Sequence, residues 1–126
     1  MPTDQFFQQN RSEAYGQFCL QTYEIAKTIP WGKVMTYGGI AALIPKPEGI
    51  DPLAYSRIRA RWVGYALKSC PEDVPWWRVV NAKGRVSARM GHGPHIQPLL
   101  LEEEGVLLEA NQINDLNTYL WKPKVK

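Results

Sequence analysis

Proline and glycine divide this chain of 126 residues into short segments, since it contains 10 of each. Pro30 follows an apolar stripe, and three prolines and a glycine fall within residues 44–52 (IPKPEGIDP). Proline cannot continue a helix, and clusters of proline and glycine are typical of loops. The sequence therefore predicts short elements separated by irregular connections.

Two helices are predicted before the proline-rich loop. Apolar residues recur at helical spacing over residues 12–29, where Ser12 is a suitable N-cap and Pro30 ends the stripe. After the turn IPWGKV and a short extended piece, Thr36 can cap a second helix over residues 37–43. Both are expected to pack against the core.

A third helix is predicted over residues 53–67, with Ile58, Trp62, Tyr65 and Ala66 facing inward. Its basic residues Arg57, Arg61 and Lys68 fall near another face, at steps of four and seven. A short helix, a loop and a basic helix outline a helix-turn-helix, although this loop is longer than the usual tight turn.

The second half predicts a small β structure. The run WWRVVNAKGRVS, residues 76–87, has the pattern of a hairpin with its turn at residues 82–84, and residues 99–108 suggest another helix capped near Gly105. The apolar residues near the end predict that the C-terminus packs back on the domain. We therefore expect one domain over residues 1–126, mainly α with a small β hairpin, of the winged helix-turn-helix type.

The composition favours a globular protein that binds an anion. Hydrophobic residues are 44% and charged residues 21%, and the net charge is +3. Between Arg57 and Arg89 the basic residues greatly outnumber the acidic ones, whereas the later segment LLLEEEG is acidic. This asymmetry makes nucleic acid the leading candidate partner. No apolar run is long enough to span a membrane, and the N-terminus lacks the pattern of a secretory signal.

The cysteines and histidines predict no metal site. Cys19 and Cys70 lack metal-ligand spacing and suit a reducing compartment, and we expect a cytoplasmic protein, nucleoid-associated in a bacterium or nuclear in a eukaryote. His92 and His95 share the loop GHGPH, where a metal site is an alternative to a solvated loop. The solvated loop is preferred because no acidic or thiol ligand stands beside them.

Four segments occur in an order typical of one family: IPWGKVMTYGGIAAL, ARWVGYAL, PWWRVVNAKGRVS and LLLEEEGV. Together they resemble the DNA-binding domain of O6-alkylguanine-DNA alkyltransferases, whose Pro-Cys-His-Arg-Val core carries the reactive cysteine. Pro75, Arg78 and Val79 match that core, whereas Trp76 takes the cysteine position and Trp77 the histidine position. A tryptophan in place of that cysteine is typical of alkyltransferase-like proteins, which bind O6-alkylguanine without repairing it and flag it for nucleotide excision repair.

The resemblance implies roles for individual residues. Tyr37 matches the tyrosine that presses on the phosphate beside the flipped nucleotide, and Arg61 matches the arginine that fills the gap left in the stack. Arg89, 13 residues after Trp76, is expected over the flipped base. The remaining members of the expected lesion pocket are Val74, Pro75, Trp76, Val86, Ser87 and Ala88, and those of the DNA-binding surface are Thr36, Arg57, Lys68 and Arg78. For Arg78 a structural role and a phosphate contact both remain open.

The resemblance also predicts that the protein is not an enzyme and needs no cofactor. Dealkylation requires a thiolate, which the indole of Trp76 cannot supply. With the histidine replaced, Trp77 is expected to be a packing residue. The resemblance places Glu104 at the acidic position that partners this histidine in the enzymes, so Glu104 is expected to lose its partner and remain a solvated helix residue. The GHGPH segment also departs from the family pattern.

The expected partner is duplex DNA containing O6-alkylguanine, bound by a monomer from the minor groove with little sequence preference. A nucleotide excision repair protein is a second partner, implied by the family alone. Two alternatives stay open: a winged-helix transcription regulator, and an active alkyltransferase with a relocated nucleophile such as Cys70.

Overall fold

The computed structural model describes residues 2–86 and 96–123, with side chains from Glu13 onward. The elements are mainly helices, as the sequence predicts, and each strand has only two residues. In chain order they are α1 (Pro2–Lys27), β1 (Met35–Thr36), α2 (Tyr37–Ala42), α3 (Pro52–Lys68), a 3₁₀ turn (Trp76–Arg78), β2 (Val79–Val80), α4 (Ile96–Glu103), β3 (Leu108–Glu109), β4 (Gln112–Ile113) and α5 (Leu116–Tyr119).

Helix α1 begins ten residues before the predicted N-cap. The expectation that Ser12 starts this helix is wrong, because the helix is continuous from Pro2 to Lys27. Proline is well suited to a first helical turn, and residues 3–11 contain neither proline nor glycine to interrupt the helix. The buried residues follow each other at steps of four, which places one face against the core; they are Ala14, Phe18, Thr22 and Ala26.

Helix α2 forms after its predicted cap, and α3 forms close to its predicted range. The Oγ1 of Thr36 accepts a hydrogen bond from the Gly39 N–H at 2.9 Å, so it is the N-cap of α2. Asp51 caps α3 in the same way, accepting from the Ala54 N–H at 3.0 Å, with Pro52 in the first helical turn. These two helices pack against each other and with α1.

Helix α3 differs from the prediction at one position of its inward face. It buries Tyr55, Val63, Ala66 and Leu67, but the side chain of Tyr65 is 55% exposed. Because a helical turn takes 3.6 residues, Tyr65 lies on the side of Arg61, four residues before it. The inward placement of Tyr65 was therefore wrong.

The core consists of two apolar clusters. The first lies between α1, α2 and α3, where Phe18 meets the ring of Trp62 edge to face with centroids 5.3 Å apart. The second joins the strands, α4 and the C-terminal tail through Val34, Val80 and Leu101. The prediction that the C-terminus packs back is confirmed, since the Trp121 N–H donates to the Val34 carbonyl at 2.9 Å.

The prediction of a hairpin over residues 76–87 is wrong about which strands pair. Strand β2 pairs with β1 in parallel, with Met35 opposite Val79 and Thr36 opposite Val80. Both residues of β2 are fully buried, and burial on both faces is typical of parallel rather than hairpin strands. The turn after β2 does form, with the Gly84 N–H donating to the Asn81 carbonyl at 2.9 Å.

The hairpin in the described part of the chain lies further along, between β3 and β4. Before it, α4 ends at Glu103, so residues 104–108 of the predicted helix are not helical. Gly105 has a φ of +86°, and the Val106 N–H donates to the Leu101 carbonyl at 3.0 Å. This backbone angle and this hydrogen bond are those of a Schellman cap, which confirms the predicted cap at Gly105. Among residues 2–86 and 96–123, no helix is long and apolar enough to cross a membrane.

Candidate functional site

Helix α3 presents a basic face to solvent, formed by Arg57, Arg61 and Lys68. All three residues are exposed, as the spacing predicts. No carboxylate within the described ranges lies at ion-pair distance from any of them, since the ion pairs there involve other cations. Their charges are therefore available to an anion from outside the protein.

Tyr37 lies beside this basic face. Its half-buried ring packs toward the core cluster from the start of α2. A β-carbon added at Gly64 of α3 would lie 4.0 Å from the Cε1 of Tyr37, so the ring is near Gly64. Gly64 is one helical turn after Arg61, so the structure brings the two predicted nucleotide-flipping residues to one region of the surface. Thr36, which precedes Tyr37, uses its hydroxyl to cap α2.

Tyr65 adds an aromatic side chain to the same surface, and the sequence interpretation missed it. Its ring is 55% exposed, and it follows Arg61 by four residues on α3. The step of four from Arg61 was the signal that could have found it, because residues i and i+4 share a helix face.

Trp76 lies at the start of the 3₁₀ turn, in a backbone shape set by the preceding proline. Pro75 has φ −78° and ψ 70°, and the Trp76 N–H donates to the Val74 carbonyl at 2.8 Å, which forms an inverse γ-turn. Trp76 is 6% exposed and meets the ring of Trp77 edge to face, with centroids 6.0 Å apart. The backbone thus holds Trp76 at the edge of the first core cluster.

The other predicted pocket residues are only partly within the described chain. Val86 is buried, and its N–H donates to the Asn111 carbonyl at 3.0 Å. Ser87, Ala88 and Arg89, together with His92 and His95 of the GHGPH loop, lie outside the described residues. Their predicted places in the lesion pocket stay predictions, as do the hydrogen bonds expected from Val74 and Pro75 to guanine.

The largest departure from expectation is Glu104, which is 8% exposed. Its Oε1 accepts from the Gly32 N–H at 2.9 Å, and its Oε2 accepts from the indole N–H of Trp77 at 2.7 Å. The Nη2 of Arg78 lies 2.9 Å from Oε2. The expectation of a solvated Glu104 is wrong because this position follows buried Leu101 by three residues and so turns toward the core.

Trp77 and Arg78 both make polar contacts, so their role is not limited to packing. Trp77 supplies the indole N–H donor to Glu104, so Glu104 has a partner without a histidine. Besides the ion pair, Arg78 donates to the Ile29 carbonyl at 2.8 Å, and its guanidinium lies over the rings of both Trp31 and Trp77. These contacts favour the structural alternative for Arg78 over a phosphate contact. We call Gly32, Trp77, Arg78 and Glu104 the Glu104 cluster.

The Glu104 cluster holds its carboxylate ionised. Burial raises the pKa of Glu104, but the hydrogen bonds from Arg78, the Gly32 N–H and Trp77 together lower it by more. The net pKa therefore lies below the ordinary value. The ion pair is therefore intact at neutral pH.

Neither cysteine has the properties of a nucleophile. Burial raises the pKa of Cys19 and of Cys70, so both are neutral thiols at neutral pH. This weakens the alternative of Cys70 as a relocated nucleophile. Within the described ranges, no three His, Cys, Asp or Glu residues are grouped so as to hold a metal ion.

Comparison with known proteins supports the resemblance. Residues 17–106 match the family model for the 6-O-methylguanine DNA methyltransferase, DNA binding domain. Alkyltransferase-like protein 1 of Schizosaccharomyces pombe is 38% identical over 114 residues, which cover 85% of this chain and 96% of the relative. The DNA base-flipping protein of Escherichia coli is 35% identical over 118 residues, covering 90% of this chain and 81% of the relative.

Solved structures give the same result. The crystal structure of S. pombe Atl1 in complex with damaged DNA containing O6-carboxymethylguanine superposes with a TM-score of 0.68 at 36% identity, covering 86% of this chain and 97% of that one. A second crystal structure of the S. pombe protein with DNA gives a TM-score of 0.66. The predicted fold class is confirmed. The chain belongs to the alkyltransferase-like proteins, within the family defined by the DNA-binding domain of 6-O-methylguanine DNA methyltransferase.

Proposed function

We propose that this protein binds O6-alkylguanine in duplex DNA, flips the damaged nucleotide out of the helix and transfers no alkyl group. The observation that carries the proposal is the basic face of α3, which has no ion-pair partner among the described residues and lies beside Tyr37. The S. pombe relative was crystallised with DNA containing O6-carboxymethylguanine, which supports the same class of ligand here.

In this proposal the three cations contact DNA in unequal ways. Arg57 and Lys68 neutralise phosphates, which carries affinity without sequence information. Arg61 enters the base stack from the minor groove, because a planar guanidinium can stack on bases and donate hydrogen bonds to the unpaired one. Tyr37 presses on the adjacent phosphate, and Trp76 and Arg89 hold the extruded guanine. Binding should weaken as salt rises.

The absence of alkyl transfer follows from the chemistry of the pocket. Transfer needs a thiolate that attacks the alkyl carbon while guanine leaves, and Trp76 has only an N–H donor. The raised pKa of Cys70 leaves that thiol protonated. The protein therefore acts as a lesion reader, and we extend the proposal to a monomer in the cytoplasm or nucleus that recruits a nucleotide excision repair protein.

The winged-helix regulator is the less suitable alternative. It relied on a hairpin over residues 76–87, and β2 pairs instead with β1. It also offers no role for Tyr37, whose ring lies near Gly64 one helical turn after Arg61.

The test is a binding comparison on two duplexes of identical sequence, one with guanine and one with O6-methylguanine. We expect at least about tenfold tighter binding to the damaged duplex, which corresponds to ~1.4 kcal/mol. Equal affinities would contradict lesion recognition and favour a general DNA-binding protein. The intact mass of the protein after incubation with the damaged duplex should be unchanged, whereas a gain of the methyl mass would show that alkyl transfer occurs.

A further inference from the structure

Helix α4 and the residue that follows it place two buried polar side chains against the 3₁₀ turn that carries Trp76. Gln97 is 1% exposed, and its Nε2 donates to the carbonyls of Trp77 at 3.1 Å and Val79 at 2.9 Å. Glu104, the residue directly after the end of α4, accepts from the Trp77 indole N–H at 2.7 Å. The turn is therefore held at its backbone by one residue and at its side chain by the other.

Buried polar groups of this kind specify geometry more than they add stability. A buried amide or carboxylate costs free energy unless its hydrogen bonds are made, and an apolar side chain of similar size would fill the space at less cost. Within the described residues no buried side-chain nitrogen or oxygen atom is left without a hydrogen bond. A fully satisfied buried network rigidifies the segments that it joins.

The contacts lead from Glu104 to Trp76 in two steps. The carboxylate fixes the orientation of the Trp77 indole through its N–H, and the Trp77 ring meets the Trp76 ring at an interplanar angle of 89°. An edge-to-face pair constrains both rings, so the orientation of Trp77 limits that of Trp76.

Glu104 also reaches the segment that leads to Tyr37. Its Oε1 accepts from the Gly32 N–H, and Gly32 has a φ of +79°. A β-carbon at Gly32 would lie 3.2 Å from the Glu104 carbonyl oxygen, so glycine allows this close approach. One carboxylate thus joins the end of α4, the turn carrying Trp76 and the turn that precedes β1.

We propose that Glu104 and Gln97 are positioning residues for lesion recognition, which act through Trp77 to hold Trp76 in the orientation that forms a wall of the pocket. This inference rests on the proposed function and assigns Trp77 a role as the hydrogen-bond donor in place of a histidine. Neither Glu104 nor Gln97 needs to touch DNA.

The experiment measures the ratio of affinities for the O6-methylguanine and guanine duplexes. Trp77→Phe keeps an aromatic ring but removes the N–H, and we expect this ratio to fall about fivefold to tenfold, the size of a typical net hydrogen-bond contribution. Affinity for the undamaged duplex should stay within about twofold, because the basic face is intact. Trp77→His restores a ring N–H and should recover most of the ratio.

Gln97→Met is the second variant. It keeps the side-chain volume and removes the hydrogen bonds to the carbonyls of Trp77 and Val79. It should lower the same ratio, with both variants measured below their melting temperatures. An unchanged ratio in a folded Trp77→Phe or Gln97→Met protein would overturn the inference. A wild-type protein that does not distinguish the two duplexes would instead overturn the proposed function, so the two failures are distinguishable.

Discussion

The basic face of α3 and the Glu104 cluster use arginine in opposite ways. Arg57 and Arg61 are exposed without an ion-pair partner in the described ranges, whereas the side chain of Arg78 is 14% exposed and pairs with Glu104 at 2.9 Å. All three come from the basic middle of the sequence, where charge counting cannot separate them. The comparison shows that an arginine is available to DNA only where the fold leaves its charge unneutralised.

The two regions also differ in what they contribute to the free energy of unfolding. Exposed charges add little stability, so the basic face can be altered without unfolding the protein. A buried ion pair becomes costly when one partner is removed, because the other charge stays buried and uncompensated. Substitutions in the two regions should therefore separate stability from DNA binding.

The largest effect is expected from Glu104→Ala. This change leaves Arg78 and the indole N–H of Trp77 buried without their acceptor, and it should lower the free energy of unfolding by ~3–5 kcal/mol. Urea denaturation measures it. Glu103→Ala is the matched control, since Glu103 is the adjacent glutamate and is exposed, and it should change stability by less than about 0.5 kcal/mol. Similar effects for both variants would show that Glu104 has no special structural role.

The next largest effect is expected from Arg61→Ala on lesion binding. Loss of the side chain that fills the stack should weaken binding to the O6-methylguanine duplex about 10- to 100-fold, with the melting temperature nearly unchanged. The loss should exceed that of Trp77→Ala, and Arg61→Lys should fall between, because lysine keeps the charge without the planar group. Equal losses for the Arg61→Ala and Trp77→Ala variants would remove the role given to Arg61.

A smaller effect is expected from acid. Because the folded-state pKa of Glu104 lies below its unfolded value of about 4.3, its charge stabilises the fold above that pH, and the contribution is lost as pH falls through the folded pKa. The unfolding free energy of the wild type should therefore exceed that of Glu104→Gln by a constant amount near neutral pH, and the difference should shrink below about pH 4. A difference independent of pH from 7 to 3 would contradict the ionised cluster.

The smallest effect is expected from Tyr65→Ala. The exposed ring lies on the face of Arg61 and outside the core, so its loss should weaken binding to the damaged duplex about twofold to fivefold without changing stability. Leu53→Ala is the control, being an exposed apolar residue near the start of the same helix. A comparable change in the control would indicate a general effect on α3 rather than a contact by Tyr65.

Local signals in the sequence correctly predicted the helix caps and the basic face, because these features depend on residues that are close together in the chain. The caps at Thr36 and Gly105 are formed, because a hydroxyl before a helix or a glycine after it acts over three or four residues. The basic face followed from helical spacing within α3. The start of α1 was missed, because Ser12 has the composition of a cap but lies within a longer helix.

These local signals did not predict contacts between residues that are far apart in the chain. The run after Trp76 has the composition of a hairpin, but its partner strand is β1, more than forty residues earlier in the sequence. Likewise, the resemblance singled out Glu104 among three consecutive glutamates, but it did not predict that Glu104 is buried with its hydrogen bonds satisfied. That burial depends on donors from Gly32 and from the residues after Trp76, which only the packed chain brings together.

By itself, the sequence determined that this is a mainly helical protein with a basic helix, and the resemblance placed a tryptophan at the position of the family's reactive cysteine. Residue identity and helical period suffice for those features. The tertiary structure decided which cations stay available and which are neutralised, and it kept Glu104 as the partner of position 77, which the sequence interpretation expected to be lost with the histidine. The reason is physical: the cost of burying a charge depends on which donors surround it, and these donors come from distant segments.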